Sequence, residues 1–233
     1  MSNPPRILDP RAVPVAGTDA HLPRVSADRL TAEALRGRFA NSDVWVPEHP
    51  GDGRAFVERE PSAAAVLVPL VERPQGLQVL LTRRTDHLRD HAGQVSFPGG
   101  RSEPEDDGPA GTALREAQEE VGLDPRQVQL IGEMPVYTTV TRFVVTPVVA
   151  LIRPPFELRL DSFEVAEAFE VPLAFLMDPA NHHRHRFSFD GGERQFLSMP
   201  WQGVAADGTQ REYFIWGATA AMLRNLYGFL ARP

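Results

Sequence analysis

Residues 80–123 read LLTRRTDHLRDHAGQVSFPGGRSEPEDDGPAGTALREAQEEVGL, and the last third of this stretch has the pattern of a helix. At about 3.6 residues per turn, Glu116 and Glu120 lie one above the other, with Glu119 a step round the helix. Like charges at this spacing destabilise an isolated helix by a few tenths of a kcal/mol per pair. The three carboxylates therefore need compensation, which a hard divalent cation would supply.

The opposite edge of the predicted helix has the pattern of a core-facing surface. Small and apolar residues recur there at helical spacing, at Ala113, Leu114, Ala117 and Val121. Pro109 suits a first helical turn, which Asp107 or Gly108 can cap. Gly122 suits the left-handed residue that ends a helix. We therefore expect a short helix over residues 109–121, buried on one edge and acidic on the other.

Two linked motifs in this stretch resemble those of a known family. Gly100, an acidic residue and then Arg-Glu-x-x-Glu-Glu-x-Gly-Leu are similar to the Nudix box of the Nudix hydrolases. The upstream half resembles the motif that precedes the box in the coenzyme A pyrophosphatase branch, and it matches at Leu80, Leu81, Thr82, Arg84, Arg89, Gly93, Phe97, Pro98, Gly99 and Gly100. It departs at Thr85, a position usually given to Ser or Ala. The resemblance runs from about Ala63 to the C-terminus.

The box itself departs from the family pattern in its spacing. Counting back from Arg115, the first acidic position of the box falls on Asp107. Gly100 then lies one residue further from that position than the usual spacing allows. Either Asp106 or Asp107 therefore fills the role of the first acidic residue.

The resemblance implies a Nudix-type α/β/α sandwich around a mixed β-sheet, with an N-terminal extension. The order of the predicted elements agrees, because strands lie on both sides of a central helix and a second helix closes the chain. With 233 residues, of which 42% are hydrophobic, the chain is long enough for one sizeable core. We expect residues 1–61 to form an arm with one short helix and a linker, and residues 62–233 to form the Nudix hydrolase domain.

Periodicity predicts the individual elements. Two apolar runs, 63–71 and 77–82, are expected to pair as a hairpin that leads into the arginine-rich motif. Further strands are expected at 127–135, 137–141, 143–152, 187–189, 195–199 and 212–215. Helices are expected at 27–40, capped by Ser26, and at 216–230. The connecting chain between the first helix and the hairpin is expected at 41–61.

Two further segments are not predicted to form strands. Residues 164–169, which precede Pro172, are interpreted as a short helical or turn segment. Residues 182–186, with the sequence HHRHR, are interpreted as a solvated loop because they have no carboxylate partners and no metal-ligand spacing. His87 and His91 are interpreted as exposed loop residues, and the alternative is a contact to phosphate or a role in proton transfer.

Composition excludes several kinds of chemistry and partner. There is no Cys, so a thiol nucleophile and a disulfide framework are both excluded. All 24 lysine-plus-arginine positions are Arg, which excludes a Lys nucleophile. The net charge of -7 argues against a nucleic-acid partner. Because no apolar run suits a signal peptide or a membrane span, we expect a soluble cytoplasmic protein.

By the family resemblance, Glu116 and Glu120 are the expected metal ligands, and Glu119 completes the cluster. All-oxygen ligands without Cys or a close His pair favour Mg²⁺ or Mn²⁺ over zinc. The resemblance also implies that Arg115 bridges and orients neighbouring carboxylates. Gly99 and Gly100 let the backbone approach the ligand or the helix closely, and the Gly99 carbonyl can add to the metal ligands.

The motif upstream of the box supplies the expected phosphate contacts. Arg84 and Arg89 match the motif of the coenzyme A branch, whose substrate carries an extra phosphate, whereas Arg83 does not match it. The sequence does not decide which carboxylate activates the attacking water. Glu116 in the box is one candidate, while Glu164 and Glu167 lie in the region where several Nudix enzymes place a catalytic Glu.

The resemblance implies metal-dependent hydrolysis of the diphosphate of coenzyme A or acyl-CoA. The products would be 4'-phosphopantetheine, or its acyl form, and adenosine 3',5'-bisphosphate. One alternative is a broader nucleoside diphosphate hydrolase that acts on ADP-ribose, NADH or capped nucleotides. Another is a Nudix module that binds a nucleotide without cleaving it. A homodimer mediated by the N-terminal arm is compatible with the sequence.

Overall fold

The computed structural model describes residues 7, 9–41, 45–52, 61–88, 91–141, 143–190, 192–205 and 207–232. Its strands are β1 (Val15–Thr18), β2 (Ser62–Val71), β3 (Gln78–Arg84), β4 (Val95–Ser96), β5 (Gly99–Arg101), β6 (Val128–Glu133), β7 (Tyr137–Thr138), β8 (Phe143–Ile152), β9 (Val165–Pro172), β10 (His183–Phe189), β11 (Gly192–Val204) and β12 (Gln210–Trp216). Its α-helices are α1 (Ala32–Ala40), α2 (Gly108–Val121), α3 (Leu173–Leu176) and α4 (Gly217–Ala231).

The main sheet is mixed, as the sequence predicts. In the described part of the chain it has eight strands, with the central order β4-β3-β2-β8-β6; β5 pairs with β2, β7 with β8 and β9 with β3. β2 and β8 run parallel along their whole length, and β3 pairs with both β2 and β9 in antiparallel fashion. The expected hairpin of β2 and β3 is therefore confirmed.

Two hydrophobic clusters cover the two faces of this sheet. The first lies under α2 and includes Ala113, Ala117 and Val121 together with Leu80 of β3. The second contains residues of α1, α4, β11 and β12 together with Leu81 of β3. The second, four-stranded sheet has the order β1-β10-β11-β12 within the described residues. The predicted α/β/α sandwich is confirmed.

Helix α2 forms as the sequence predicts, with one difference. Pro109 lies in its first turn, and Gly122 ends it with a φ of 69°, in the left-handed region that favours glycine. Leu114, however, is only half-buried and lies outside the cluster under α2. Thr112 is fully buried instead.

The prediction of a helical or turn segment at 164–169 is wrong, because these residues belong to strand β9 and the turn before it. Burial alternates along β9, with Val165, Glu167, Phe169 and Val171 buried. This is the period of a strand with two different faces. Pro172 ends the strand rather than a helix.

The prediction of a solvated loop at 182–186 is also wrong. Most of these residues form β10, and the side chains of His182 and His185 are buried. His185 Nδ1 lies 2.9 Å from the Val13 carbonyl oxygen, and its Nε2 lies 2.8 Å from Ser198 Oγ. The partners are distant in the sequence, so the local pattern gave no sign of them.

The N-terminal helix is shorter than predicted. Residues Ala27–Leu30 form a single 3-10 turn, and α1 begins after Thr31, whose side chain accepts a hydrogen bond from Ala34 N at 3.1 Å. Thr31 rather than Ser26 therefore caps the helix. Of the predicted linker, residues 42–44 and 53–60 lie outside the described residues.

The arm contacts the rest of the chain along two elements. Strand β1 pairs with β10, and Leu35 and Phe39 of α1 belong to the same hydrophobic cluster as α4. The division of the chain into an arm (1–61) and a domain (62–233) stays a prediction. None of the described helices is both long enough and apolar enough to cross a bilayer.

A buried ionic network joins the arm to α4. Arg224 of α4 lies 3.0 Å from Asp19 Oδ2, donates through Nε to Glu48 at 2.7 Å, and donates through Nη1 to His182 Nδ1 at 3.1 Å. His182 Nε2 lies 2.7 Å from the Leu176 carbonyl oxygen, so this nitrogen carries the proton of a neutral ring. Protonating Nδ1 would place a second cation beside Arg224.

The free energy of unfolding should therefore fall in mild acid because of His182. Burial lowers the pKa of His182 to about 4, whereas an unfolded His titrates near pH 6.5. The unfolded chain thus binds more protons between these values, and the His182 contribution to stability is lost at up to about 1.4 kcal/mol per pH unit as the pH falls below about 6.5. Urea unfolding between pH 7.5 and 4.5 measures this slope.

We expect His182→Gln to be less stable at pH 7.5 but to have a shallower slope than the wild type. His91→Gln, which changes an exposed ring, is the matched control and should keep the wild-type slope. Equal slopes for all three proteins would show that His182 does not carry the effect.

Candidate active site

The acidic face of α2 extends from the protein interior to solvent. The side chain of Glu120 is 7% exposed, that of Glu116 is 16% exposed and that of Glu119 is 59% exposed. The helix edge predicted from the spacing is therefore present, but its three carboxylates occupy very different environments. Only Glu119 is well hydrated.

A glycine pair lies directly against this face. Gly99 N donates to Glu120 Oε2 at 3.2 Å. A Cβ on Gly100 would lie 2.6 Å from the Glu116 carboxylate, and a Cβ on Gly99 would lie 2.5 Å from the Ala65 carbonyl oxygen. Glycine is therefore required at both positions, because any side chain there would collide with the Ala65 backbone or with the Glu116 carboxylate.

Arg115 holds the cluster together from one side. Its Nη1 donates to Glu116 Oε1 at 3.0 Å and to Glu119 Oε2 at 2.9 Å. Its Nη2 also donates to the Arg101 carbonyl oxygen at 3.0 Å. These contacts set the positions of two of the three carboxylates relative to β5.

Asp106, rather than Asp107, is the acidic partner of Arg115. Arg115 donates through Nε to Asp106 Oδ1 at 2.8 Å and through Nη2 to Oδ2 at 3.1 Å. This guanidinium holds the pKa of Asp106 well below its usual range. Asp107 instead occupies the N-cap position of α2, where its side chain makes no capping hydrogen bond. Gly108, the first residue of α2, has a φ of 66°, in the left-handed region that favours glycine.

Thr112 supports this pair from inside the fold, and no sequence pattern predicted this role. Its hydroxyl lies 2.8 Å from Asp106 Oδ2 and 3.0 Å from Ser102 Oγ. Thr112 is fully buried on α2. The turn between β5 and α2 is therefore fixed by polar contacts at both ends.

The electrostatics of the cluster indicate a shortage of positive charge. Burial raises the pKa of Glu120 to about 7, and the nearby charges of Glu116 and Glu164 add to this effect. Burial likewise raises the pKa of Glu116, although Arg115 opposes the shift. Buried carboxylates that repel one another fit a cation with oxygen ligands.

The donor chemistry thus fits a hard divalent cation, but the ligands are not gathered around a ready site. Among the described residues, no three His or acidic side chains converge closely enough to hold an ion. Arg115 satisfies Glu116 and Glu119 in this arrangement.

Arg84, at the end of β3, and Glu164, just before β9, both lie beside this cluster. Arg84 Nη1 lies 3.8 Å from Glu120 Oε1, and its Nη2 lies 3.7 Å from Glu164 Oε2. The backbone fixes Glu164 there, because Asp161 N donates to the Glu120 carbonyl oxygen at 2.9 Å and Thr85 N donates to the Glu164 carbonyl oxygen at 3.0 Å. Glu164 is therefore brought together with the acidic face of α2.

Glu167 faces the opposite side of the sheet. Its two carboxylate oxygens accept hydrogen bonds from Tyr213 Oη and Arg211 Nη1, each at 2.7 Å. Phe169, two residues along β9, stacks on Tyr213 with ring centroids 3.7 Å apart, whereas Ala168 packs on the cluster under α2. The structure therefore separates the two loop carboxylates that the sequence could not rank.

Arg83 lies on the same side of the sheet as Glu167, and its Nε is 3.9 Å from Glu167 Oε2. The alternation of β3 places Arg84 on the α2 side with Leu80 and Arg83 on the other side with Leu81. Arg89, the other arginine that matches the upstream motif, lies outside the described residues.

Comparison with known proteins identifies relatives of this chain. A family model of the NUDIX domain matches residues 61–190. The protein named "Uncharacterized Nudix hydrolase NudL" from Shigella flexneri serotype 5b (strain 8401) is 41% identical over 177 residues, which cover 74% of this chain and 86% of that protein. The protein of the same name from Escherichia coli (strain K12) is 42% identical over 164 residues, with coverages of 70% and 80%. A solved structure, the Nudix hydrolase RenU from M. smegmatis, has a TM-score of 0.44 and 24% identity over 60% of this chain and 85% of that one.

The chain belongs to the Nudix hydrolase family. It is a hydrolase of nucleoside diphosphate-linked substrates, and members of the family generally use divalent metal ions. The acidic face of α2, the glycine pair of β5 and the Asp106–Arg115 pair are the parts of the fold that correspond to the box motif in the sequence.

Proposed function

We propose that this enzyme hydrolyses the diphosphate bond of coenzyme A or acyl-CoA, with Mg²⁺ or Mn²⁺ as cofactor. The products are 4'-phosphopantetheine, or its acyl form, and adenosine 3',5'-bisphosphate. The observation that carries the proposal is the position of Arg84, which matches the motif of the coenzyme A branch and lies beside Glu120 and Glu164. A guanidinium at the acidic cluster suits a substrate with several phosphates.

Each charged residue of the site has a proposed role. Glu116, Glu119 and Glu120 would hold the metal, and a metal bound there would supply charge neutralisation at the phosphoryl oxygens and a lower pKa for water. Arg115, fixed by Asp106, keeps Glu116 and Glu119 in position. Gly99 and Gly100 let the diphosphate approach the helix, and Arg84 and Arg89 contact substrate phosphates.

We assign the general base to Glu164. Its side chain is partly exposed and lies beside Arg84 at the edge of the cluster, so it can reach a water at the scissile phosphorus. Glu116 is engaged by Arg115, and Glu167 is engaged by Arg211 and Tyr213 on the far side of the sheet. Glu167 is better explained as a residue that ties β9 to β12.

Incubating the purified protein with coenzyme A and Mg²⁺ or Mn²⁺ tests the proposal, with both products identified by mass. Cleavage at the diphosphate supports it. Intact coenzyme A alongside turnover of ADP-ribose, NADH or a capped nucleotide would replace it with a broader nucleoside diphosphate hydrolase. Binding of these nucleotides without turnover would replace it with a binding module.

Localisation, binding partners and oligomeric state are also part of the proposal. We propose a cytoplasmic enzyme whose partners are small-molecule substrates, without a nucleic-acid or membrane partner. A homodimer stays a prediction, and light scattering of the full chain measures it.

Replacing Arg115 with Ala should lower kcat/KM about 10- to 100-fold, as loss of an outer residue that orients metal ligands typically does. The melting temperature should also fall by several degrees, because Asp106, whose side chain is only 6% exposed, loses its cation. Arg115→Lys should recover part of the stability but little of the activity, since an ammonium cannot reproduce the fork that binds Asp106 and Glu116.

Arg126→Ala is the control for Arg115, because it removes an exposed arginine that pairs only with Asp124 among the described residues. Its kinetics and melting temperature should match the wild type. A kcat/KM for Arg115→Ala within about twofold of the wild-type value, far from the loss expected of such a residue, would contradict the positioning role.

A further inference from the structure

Phe163 is a large apolar side chain that remains exposed at the edge of the acidic cluster. Its relative exposure is 64%, and it directly precedes Glu164. A single exposed apolar residue needs no explanation by itself. Two further features of Phe163, its fixed backbone and its aromatic neighbour, indicate a function.

The backbone of Phe163 is fixed on both sides of its Cα. Its amide donates to Asp161 Oδ1 at 2.9 Å, and its carbonyl accepts from Thr85 Oγ1 at 2.8 Å. Thr85 is the residue that stands where the upstream motif usually has Ser or Ala, and it is buried. A ring on such a backbone is presented to solvent with little freedom to withdraw.

Backbone hydrogen bonds also place the segment that carries Phe163 beside the site. Asp161 N donates to the Glu120 carbonyl oxygen at 2.9 Å, and two residues of chain span at most about 7 Å. On the other side, the Glu164 carboxylate lies 3.7 Å from Arg84. Phe163 is therefore bracketed by residues of the acidic cluster.

A second aromatic ring supports the first. The rings of His87 and Phe163 have centroids 5.0 Å apart and an interplanar angle of 59°, which is a favourable tilted geometry for an aromatic pair. His87 is itself exposed and makes no ion pair among the described contacts. Together the rings form an exposed aromatic surface on the two segments that flank Arg84 and Glu164.

We propose that Phe163 is the platform on which the nucleobase of the substrate stacks, with His87 as the positioning residue that braces its ring. The inference rests on the proposed function only in taking a nucleotide as the substrate of this site. Every nucleobase has a flat π-face that can stack on an aromatic side chain, and such a contact tolerates different bases. The platform thus contributes to nucleotide affinity rather than to the choice of base.

A pair of inhibitors that resist hydrolysis separates base stacking from phosphate binding. Adenosine 5'-(α,β-methylene)diphosphate carries the base, and methylenediphosphonate does not. Titration calorimetry with the full chain and Mg²⁺ measures both affinities. Phe163→Ala should weaken binding of the nucleotide by about 5- to 150-fold, the range for loss of one base–aromatic stack, and leave methylenediphosphonate binding unchanged.

Three further variants complete the test. Phe163→Trp should retain nucleotide affinity, and its added fluorescence should be quenched by the nucleotide. His87→Ala should weaken nucleotide binding less, by about 2- to 10-fold, as loss of one aromatic pair would. Val204→Ala, at a similarly exposed apolar position (61%) on β11, is the control and should bind both ligands as the wild type does.

Unchanged nucleotide binding in Phe163→Ala would overturn the proposal. Equal weakening of both inhibitors would also overturn it, since the loss would then lie in the phosphate site. If Phe163→Ala melts early, Phe163→Leu keeps the apolar bulk without the ring and should show the same selective loss. Selective loss in a protein that leaves coenzyme A intact would retain the platform and reject the proposed substrate.

Discussion

Replacing Glu120 with Gln should lower kcat/KM for the diphosphate substrate by about 10³-fold. The expected size follows from the several kcal/mol that a bound metal contributes to transition-state stabilisation, at about 1.4 kcal/mol per factor of ten. Gln keeps the shape of the side chain and can still accept from Gly99 N, which donates to Glu120 at 3.2 Å. The substitution therefore removes the charge of the most buried of the three carboxylates on the acidic face of α2, and little else.

The melting temperature of Glu120→Gln, in contrast to its kcat/KM, should not fall. Glu120 is buried close to Glu116 and Glu164, and these charges disfavour its ionised form. In the presence of EDTA, Glu120→Gln should therefore melt at the same temperature as the wild type or a few degrees higher. Added Mg²⁺ or Mn²⁺ should raise the melting temperature of the wild type more than that of the variant, because a cation stabilises the state that binds it.

Glu133→Gln is the matched control, since it neutralises an exposed carboxylate on β6. Its activity and its response to metal should equal those of the wild type. If Glu120→Gln retained more than about a tenth of the wild-type kcat/KM, a loss of under about 1.4 kcal/mol, Glu120 would not be a metal ligand. A melting temperature well below the wild-type value would instead indicate a structural role for this carboxylate.

Glu164→Gln should lower kcat by about 10²-fold, near the lower end of what a positioned general base contributes. Substrate affinity should change much less, since Glu164 reaches the cluster mainly through Arg84 at 3.7 Å. Steady-state kinetics measure both quantities.

Glu167→Gln tests the alternative base and serves as the control for Glu164. It removes a charge that accepts from Arg211 and Tyr213, so it should lower the melting temperature while leaving kcat close to the wild-type value. The opposite pattern, with kcat lowered in Glu167→Gln and kept in Glu164→Gln, would assign the base to Glu167.

Residues whose roles depend on near neighbours were predictable. The period of 3.6 residues placed Glu116, Glu119 and Glu120 on one edge of α2, and Gly122 ends that helix as expected. The hairpin of β2 and β3 followed from two apolar runs and a short turn. In these segments local backbone preference and the hydrophobic pattern both indicate the same secondary structure, so the prediction was unambiguous.

Residues whose roles depend on distant partners were not predictable. HHRHR reads as a polar loop until Val13, Ser198 and Arg224 are placed around its histidines. The sequence left Asp106 and Asp107 as alternatives, and only the structure shows that Asp106 is the one that pairs with Arg115. Glu164 and Glu167 differ by three positions, yet a strand with alternating faces sends the second one to the far side of the sheet.

The sequence by itself therefore determined the stretch 80–123, its acidic helix edge and the class of enzyme that carries both motifs. The tertiary structure alone decided which acidic residue pairs with Arg115, how deeply each carboxylate is buried and which loop carboxylate joins the cluster. The reason is physical. Spacing along one helix is set by local geometry, whereas burial and charge partners depend on chain segments that meet only when the sheet and its two layers assemble.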